Sequence, residues 1–350
     1  MPAGQGEIPL SRLIGALSYA LDIAEGEPPG HAVKSCLIGM RVAHELELDR
    51  RDRSDLFYAL LLKDAGCSAN SAHMAALFGA DDQRAKRTSK VVDWARPLPA
   101  FVWSLRTVAP RGSPRARVER LLAIKSEGEV TRALMQARCD RGAEIARKLG
   151  FTAATAEAIR TLDEHWDGNG QPRHLHGEEI PLLGRILCLS QTMEVFQRGH
   201  GTVIACRIAE RRSGQWFDPE LVGALQSFRA DTAFWASLEH PDLSAVEPPD
   251  RALEADDERL DLIADGFAGI IDAKSSWTHE HSHREGEIAT NIAGILGLEQ
   301  RAVRDLWRAA QLHDIGKLGV SNRILDKAGP LSDDEVAKVK EHPVMTREIL

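Results

Sequence analysis

The chain contains the same arrangement of a histidine, two apolar segments and an aspartate twice. His31 is followed 32 residues later by Lys63-Asp64-Ala65-Gly66, and His281 is followed at the same interval by His313-Asp314-Ile315-Gly316. Both intervals contain an apolar segment with helical spacing, a charged turn and a second such segment. Because the spacing and the surroundings agree, we interpret the two halves as a duplication of one helical unit.

The composition supports a helical interpretation of both copies. Aromatic residues make up only 5% of the 350 residues, and the helix-forming residues Ala, Leu, Arg and Glu predominate. We therefore predict an all-α fold with two helical bundles in tandem. Three prolines within residues 239–252 indicate a linker, which leaves a first unit in residues 1–238 and a second unit in residues 253–350.

The charge and the cysteines exclude several classes of protein. A net charge of -8 argues against direct binding of nucleic acid, which depends on Lys and Arg, but allows a small phosphorylated ligand held by metal ions. The five cysteines are odd in number and form no Cys-x-x-Cys pair, which fits a reducing cytoplasm. No apolar run reaches the roughly 18 residues that span a membrane, and the N-terminus lacks the pattern of a signal peptide. We therefore expect a cytoplasmic protein that does not bind membranes.

Four residues of the second unit form a candidate metal site: His281, His313, Asp314 and His342. Three imidazoles and a carboxylate without sulfur suit iron, manganese, cobalt or zinc better than magnesium. The apolar spacing predicts a helix over residues 299–316. Lys317 follows one helical turn after the His-Asp pair, so we expect it to pair with Asp314 or to bind a substrate phosphate.

Each of these residues alone has an ordinary explanation. A His-Asp pair on a helix is usually a hydrogen-bonded couple, and we expect the neighbouring His279 and His283 to be surface residues. The combination of the four residues with Gly316 and Lys317 at matching positions is far more specific, so we favour a metal site.

The same residues resemble a known family. The segments His313–Val320, Ile324–Leu331 and His342-Pro343 resemble the HD-GYP branch of the HD-domain phosphohydrolases. The segment from Trp277 to Arg284 is similar to the first ligand helix of that family. The resemblance covers about residues 255–350, and the spacing between ligand positions agrees without gaps.

The resemblance implies an all-α metal-dependent phosphohydrolase that hydrolyses cyclic dinucleotides, chiefly cyclic di-GMP. It places His281, His313, Asp314 and His342 on metal-ligand positions, with one or two ions, most often iron or manganese. Asp314 is expected to bridge the metals or to orient the attacking water. Lys317 is expected to contact the substrate phosphate, and we assign catalytic roles to both Asp314 and Lys317.

The first unit resembles the same family in a degenerate form. Lys63 stands at the position of the dyad histidine, and Arg138 occupies the place analogous to His342. The Gly-Tyr-Pro signature corresponds to residues 162–172, where both histidines are lost and Gln171 replaces the tyrosine. Because two fixed positive charges stand where cations should bind, we expect this unit to be non-catalytic. A role in homodimer formation or in ligand sensing stays open.

Two alternatives to a cyclic dinucleotide phosphodiesterase stay open. The chain ends at Leu350, before a second Gly-Tyr-Pro segment, so the second bundle is expected to be incomplete. Residues 281–342 hold enough ligands for one metal but not for a complete binuclear centre. The protein could therefore be an inactive regulatory or scaffold protein of the tandem HD type, possibly linked to a transcription-regulator module. A general HD phosphohydrolase acting on nucleotides or phosphomonoesters is the third possibility, but Gly319–Leu331 favours the HD-GYP branch.

Overall fold

The computed structural model describes residues 9–70, 82–89, 92, 102–103, 105–108, 128–248, 256–275 and 281–350. These residues form helices and turns with no β-strand, which confirms the all-α prediction. The helices, in chain order, are α1 (Leu10–Glu25), α2 (His31–Glu45), α3 (Arg50–Leu62), α4 (Asp82–Ser89), α5 (Gly128–Lys148), α6 (Ala153–Arg160), α7 (Leu182–His200), α8 (Thr202–Arg212), α9 (Pro219–Ser227), α10 (Thr232–Ser237), α11 (Asp257–Asp272), α12 (His281–Ile295), α13 (Gln300–Leu312), α14 (Asn322–Leu325), α15 (Asp333–Lys340) and α16 (His342–Ile349). None of these described helices is both long and apolar enough to cross a membrane.

The helices of the first unit surround a core that forms because each helix carries an apolar face. Helix α3 begins where the Asp49 carboxylate accepts a hydrogen bond from the Asp52 amide, and eight of its residues from Asp55 to Leu62 are buried. Helix α2 packs between α3 and α7. Burial of aliphatic side chains such as Ile38 and Leu60 supplies the main stabilising free energy of this unit.

In the second unit, α12 and α13 pack side by side and α11 packs across both. Helix α15 begins with a capping box, in which the Ser332 hydroxyl accepts from the Glu335 amide and the Glu335 carboxylate accepts from the Ser332 amide. The predicted linker at residues 239–252 contains a short 3-10 turn, Leu243–Ala245. Its last residues lie outside the described part of the chain, as do Trp277, Thr278 and His279, so these predictions stay predictions.

The two units share one continuous core. Helix α1 of the first unit packs against the 3-10 turn Ile315–Gly319 and against α16 of the second. Gln83 joins the two units by hydrogen bonds, because its Nε2 donates to the carbonyls of Ile23 and Leu318, each at 3.1 Å. The turn that follows the His-Asp pair is therefore held from behind by the first unit.

The duplication is visible in the way two glycines are packed. A Cβ atom built on Gly66 would lie 2.0 Å from the carbonyl oxygen of Arg138, and one built on Gly316 would lie 2.0 Å from that of His342. In both units a helix backbone crosses so closely that only glycine fits. This geometry supports the predicted correspondence of Arg138 with His342.

The two units differ in what packs on the helix that begins at the first histidine, which is α2 in the first unit and α12 in the second. In the first unit α7 packs on α2, and Ile38 and Val42 are fully buried. The residues at the same repeat positions in α12, Ile288 and Ile292, are more than half exposed. Within the described residues, the same apolar positions are therefore buried in α2 and exposed in α12.

The predicted helix over residues 299–316 is too long. Helix α13 ends at Leu312, His313 is its C-cap, and Asp314 precedes the 3-10 turn. The tight crossing of α16 over Gly316 requires the chain to leave the helix here. Consequently the His-Asp pair projects from the end of a helix and not from its side.

Candidate metal centre

Asp314 lies at the centre of the candidate site, with its carboxylate only 3% exposed. Its Oδ2 atom is 3.2 Å from His313 Nε2 and 3.6 Å from His281 Nε2, and its Oδ1 atom is 3.3 Å from His342 Nε2. The structure thus brings together the four residues that the sequence singled out, from α12, from the end of α13 and from α16. Their role as metal ligands stays a prediction.

Two of the histidines are oriented by helix carbonyls. His313 Nδ1 lies 2.8 Å from the carbonyl oxygen of Ala310, and His342 Nδ1 lies 2.6 Å from that of Val339. Because a carbonyl can only accept, each Nδ1 carries a proton, and Nε2 is the ring atom that faces Asp314. Such a second hydrogen bond is the usual way in which a protein orients an imidazole that binds a metal.

The first histidine is positioned through the residue that follows it. The Ser282 hydroxyl donates to the Asp272 carboxylate at 2.7 Å, which ties the start of α12 to the end of α11. His281 at the first position of α12 consequently faces the end of α13. Its side chain keeps about a third of its surface exposed, so the site opens to solvent on this side.

Lys317 is close to the centre of the site. Its Nζ atom lies 2.5 Å from Asp314 Oδ2, three residues along the 3-10 turn. This is one of the two contacts expected from the sequence. The other expected contact, with a substrate phosphate, stays a prediction.

Glu285 also belongs to this cluster, and the sequence analysis missed it. Its Oε2 lies 3.2 Å from His313 Nε2 and its Oε1 lies 3.4 Å from His281 Nε2. The available signal was the four-residue spacing from His281, which places both side chains on one face of α12. The same spacing joins His283 to Glu287, which are both exposed, so the spacing alone could not select Glu285.

The charges of the site favour an ionised carboxylate. The hydrogen bond with Asp314 raises the pKa of His313 to about 9. Burial opposes ionisation of Asp314, but hydrogen bonds with His313 and Lys317 hold the pKa of this carboxyl well below its ordinary value. A buried carboxylate that stays charged at neutral pH, with imidazoles around it, is a suitable ligand set for a cation.

The donor set fits a divalent metal ion. Ligand atoms of His281, Glu285 and His313 all lie within 4.8 Å of one another, and Asp314 Oδ2 faces two of them. Imidazole nitrogens and carboxylate oxygens without thiolate are the donors that first-row divalent ions accept.

The corresponding place in the first unit is filled by cationic side chains. Lys63 pairs with Asp64 and both side chains are buried, while Arg138 pairs with Asp163. Ligand atoms of Glu25, Asp64 and Cys67 cluster within 4.8 Å, but Lys86 Nζ lies 3.2 Å from Glu25. Burial raises the pKa of the Cys67 thiol well above its ordinary value, so this side chain is uncharged at neutral pH. These contacts support the expectation of a non-catalytic unit.

Comparison with known proteins relates the chain to one family. A family model described as "HD domain" matches residues 113–221 and 267–350. A 3'3'-cGAMP-specific phosphodiesterase 3 of Vibrio cholerae is 41% identical over the whole of this chain and 77% of its own length. A 3'3'-cGAMP-specific phosphodiesterase 1 of the same organism is 28% identical over 61% of this chain and 53% of its own length.

Shorter matches and a solved structure agree with this relation. A cyclic di-GMP phosphodiesterase of Thermotoga maritima is 40% identical over 21% of this chain and 20% of its own length. The crystal structure of a cyclic GMP-AMP specific phosphodiesterase of V. cholerae superimposes with a TM-score of 0.72 at 37% identity, covering 98% of this chain and 79% of that one. The chain therefore belongs to the HD domain family, which confirms the family predicted from its sequence.

Proposed function

We propose that this chain is a metal-dependent phosphodiesterase that hydrolyses a cyclic dinucleotide. The observation that carries the proposal is the convergence of three imidazole Nε2 atoms on the buried carboxylate of Asp314. The relative that matches the whole chain acts on 3'3'-cGAMP, whereas the cyclic di-GMP phosphodiesterases match about a fifth to a quarter of it. We therefore place 3'3'-cGAMP before the cyclic di-GMP expected from sequence.

His281, His313, Asp314 and His342 would hold one or two metal ions, for which iron or manganese is our proposal. A bound divalent ion supplies Lewis acidity and lowers the pKa of a coordinated water. Asp314 keeps its negative charge because His313 and Lys317 both hydrogen-bond to its carboxylate.

Lys317 brings a mobile positive charge to the substrate side of the site. Its side chain is partly exposed beside Asp314, so a small rotation of its long stem moves the ammonium from the carboxylate to a phosphoryl oxygen. There it would stabilise the charge that develops during hydrolysis. We assign Asp314 and Lys317 the catalytic roles.

The test is metal analysis of the purified chain, followed by turnover of 3'3'-cGAMP, cyclic di-GMP and a phosphomonoester. We expect bound iron or manganese, hydrolysis of a cyclic dinucleotide, and loss of both in His313→Ala. His283→Ala is the matched control, because His283 also lies on α12 but is exposed and pairs with Glu287. Full activity in His313→Ala would contradict the proposal.

The same preparation tests the remaining expectations. Bound metal without turnover of any substrate would favour the regulatory alternative. Hydrolysis of the phosphomonoester alone would favour a general phosphohydrolase. The homodimer and the cytoplasmic location expected from the sequence stay proposals, and a molar mass in solution of one chain would contradict the homodimer.

A further inference from the structure

We propose that Glu285 is a fourth protein ligand of the cation that His281, His313 and Asp314 bind. The proposal rests on the metal site of the proposed function and adds a ligand to it. Among the described residues, Glu285 is the one carboxylate besides Asp314 that lies within 3.6 Å of the Nε2 atoms of both His281 and His313. A glutamate in this place gives the site a second negative charge.

The distances between donor atoms match those around one small ion. His313 Nε2 lies 3.2 Å from Glu285 Oε2 and 3.2 Å from Asp314 Oδ2, and His281 Nε2 lies 3.4 Å and 3.6 Å from these two side chains. Ligands that bind a metal at about 2.0–2.2 Å stand roughly 3.0–3.5 Å apart in octahedral or tetrahedral geometry. Two nitrogens and two carboxylates thus face a common point.

His342 does not face this point in the same way. Its Nε2 atom approaches the other oxygen of Asp314, Oδ1, at 3.3 Å. The described residues therefore provide one position with four candidate donors, in which the two imidazole nitrogens each face Glu285 and Asp314. His342 marks a neighbouring position that shares only the aspartate.

The neighbouring pair on α12 shows why Glu285 is more than a helix-surface ion pair. His283 and Glu287 have the same spacing and lie 3.6 Å apart, but both are exposed and their ion pair stays within one helix. Glu285 spans two helices, because it reaches His313 at the end of α13 as well as His281 on its own helix.

The duplicated unit provides a second, independent argument. Four residues after His31 the first unit has Ser35, whose hydroxyl donates to the His31 carbonyl and extends no carboxylate. The same unit has Lys63 and Arg138 at the positions of His313 and His342. The carboxylate at this position is therefore absent from the copy in which Lys63 replaces the dyad histidine, as expected if Glu285 and His313 serve the same ion.

A second carboxylate has a chemical consequence for the choice of metal. Two neutral imidazoles and two carboxylates balance the charge of a divalent ion, and carboxylate oxygens are hard donors. Glu285 therefore favours Mn²⁺ or Fe²⁺ over softer ions that prefer nitrogen and sulfur.

The experiment is titration of the metal-free full chain with Mn²⁺, measured by calorimetry and by the electron paramagnetic resonance of free Mn²⁺. We expect Glu285→Gln, which keeps the shape and removes the charge, to raise the dissociation constant at least tenfold. Glu287→Gln is the matched control and should change it by less than twofold. Glu285→Asp, which keeps the charge on a shorter stem, should lie between wild type and Glu285→Gln.

The outcomes separate this proposal from the proposed function. Wild-type affinity in Glu285→Gln, together with lost binding in His313→Ala, would overturn the role of Glu285 and leave the metal site intact. Absence of Mn²⁺ and Fe²⁺ binding to the wild-type chain would overturn both. The Glu285 side chain is 45% exposed, so substitution leaves the core unchanged, and circular dichroism of each variant checks that it folds.

Discussion

The carbonyl oxygen of His342 lies directly against the α-carbon of Gly316, where α16 crosses the 3-10 turn that follows Asp314. The Thr346 hydroxyl fastens this crossing, because it accepts from the Gly316 amide and donates to the His313 carbonyl, each at 3.0 Å. The imidazole of His342 reaches Asp314 only because no side chain separates the backbone of α16 from that of the 3-10 turn at Gly316. The glycine therefore positions a candidate ligand without touching the metal site itself.

Replacement of Gly316 by alanine should disrupt both stability and metal binding. The added methyl group would lie 2.0 Å from the His342 carbonyl and 2.8 Å from the Thr346 amide, so α16 must move. We expect a loss of about 1–3 kcal/mol in the free energy of unfolding, as for other overpacked sites, and weaker Mn²⁺ binding. Urea denaturation and Mn²⁺ titration measure the two effects.

Gly294→Ala is the control for this prediction. Gly294 lies in exposed helix α12 with no atom within 4 Å of the added methyl group. Alanine there should leave metal binding unchanged and stabilise the helix by about 0.5–1 kcal/mol. Equal effects of the two substitutions would contradict the positioning role of Gly316.

The sequence predicted the helices and four of the clustered residues because these depend on local patterns. Apolar spacing located α13, and the family resemblance placed Arg138 at the position analogous to His342. The end of α13 at Leu312 was not predictable, because it depends on the crossing of α16, which is distant in sequence. Glu285 was missed for a similar reason: its contact with His313 requires knowledge of how α12 and α13 pack.

The same substitution at equivalent positions of α2 and α12 should change the free energy of unfolding by different amounts. Ile38 is fully buried under α7, whereas Ile288 at the same repeat position is 60% exposed. We expect Ile38→Ala to cost about 2–5 kcal/mol in the free energy of unfolding and Ile288→Ala about 0.5 kcal/mol or less. Urea denaturation of both variants provides the comparison, and equal costs would show that α12 is covered as α2 is.

The buried pair Lys63–Asp64 should behave as a coupled unit. Both side chains lie inside the first unit and pair with each other, so removing one partner leaves a buried charge. We expect Lys63→Met and Asp64→Asn each to cost about 3–5 kcal/mol in the free energy of unfolding, and the double variant to cost clearly less than their sum. Additive costs in this double-mutant cycle would rule out the coupling.

The same double variant tests whether the first unit takes part in catalysis. Because Lys63 already stands where a metal-binding histidine would be, its removal together with Asp64 should leave the metal content and the turnover number unchanged. A fall in metal content with the fold intact would assign an ion to the first unit.

The buried pair His31–Glu194 predicts how stability depends on pH. Glu194 contacts His31 and lies 3.0 Å from Arg198 Nε. Burial opposes ionisation of Glu194, but the hydrogen bond and the charge of His31, together with the charge of Arg198, hold the pKa of this carboxyl below its ordinary value of 4.5. The native state therefore binds fewer protons than the unfolded state just below pH 4.5. The stabilisation from this group is present above that pH and is lost as the pH falls through the lower, native pKa.

Glu194→Gln removes the titrating carboxyl. The difference in unfolding free energy between this variant and the wild type should therefore become smaller in acid. We expect the variant to be less stable than the wild type at pH 7, with a difference that shrinks as the pH falls below 4.5, because only the wild type then takes up the extra proton. Glu144→Gln is the control, since Glu144 pairs with Lys148 on the surface and should change stability by about 1 kcal/mol or less. Unfolding free energies from pH 3 to pH 7 measure both, and a difference that stays constant across this range would show that Glu194 keeps its ordinary pKa in the folded protein.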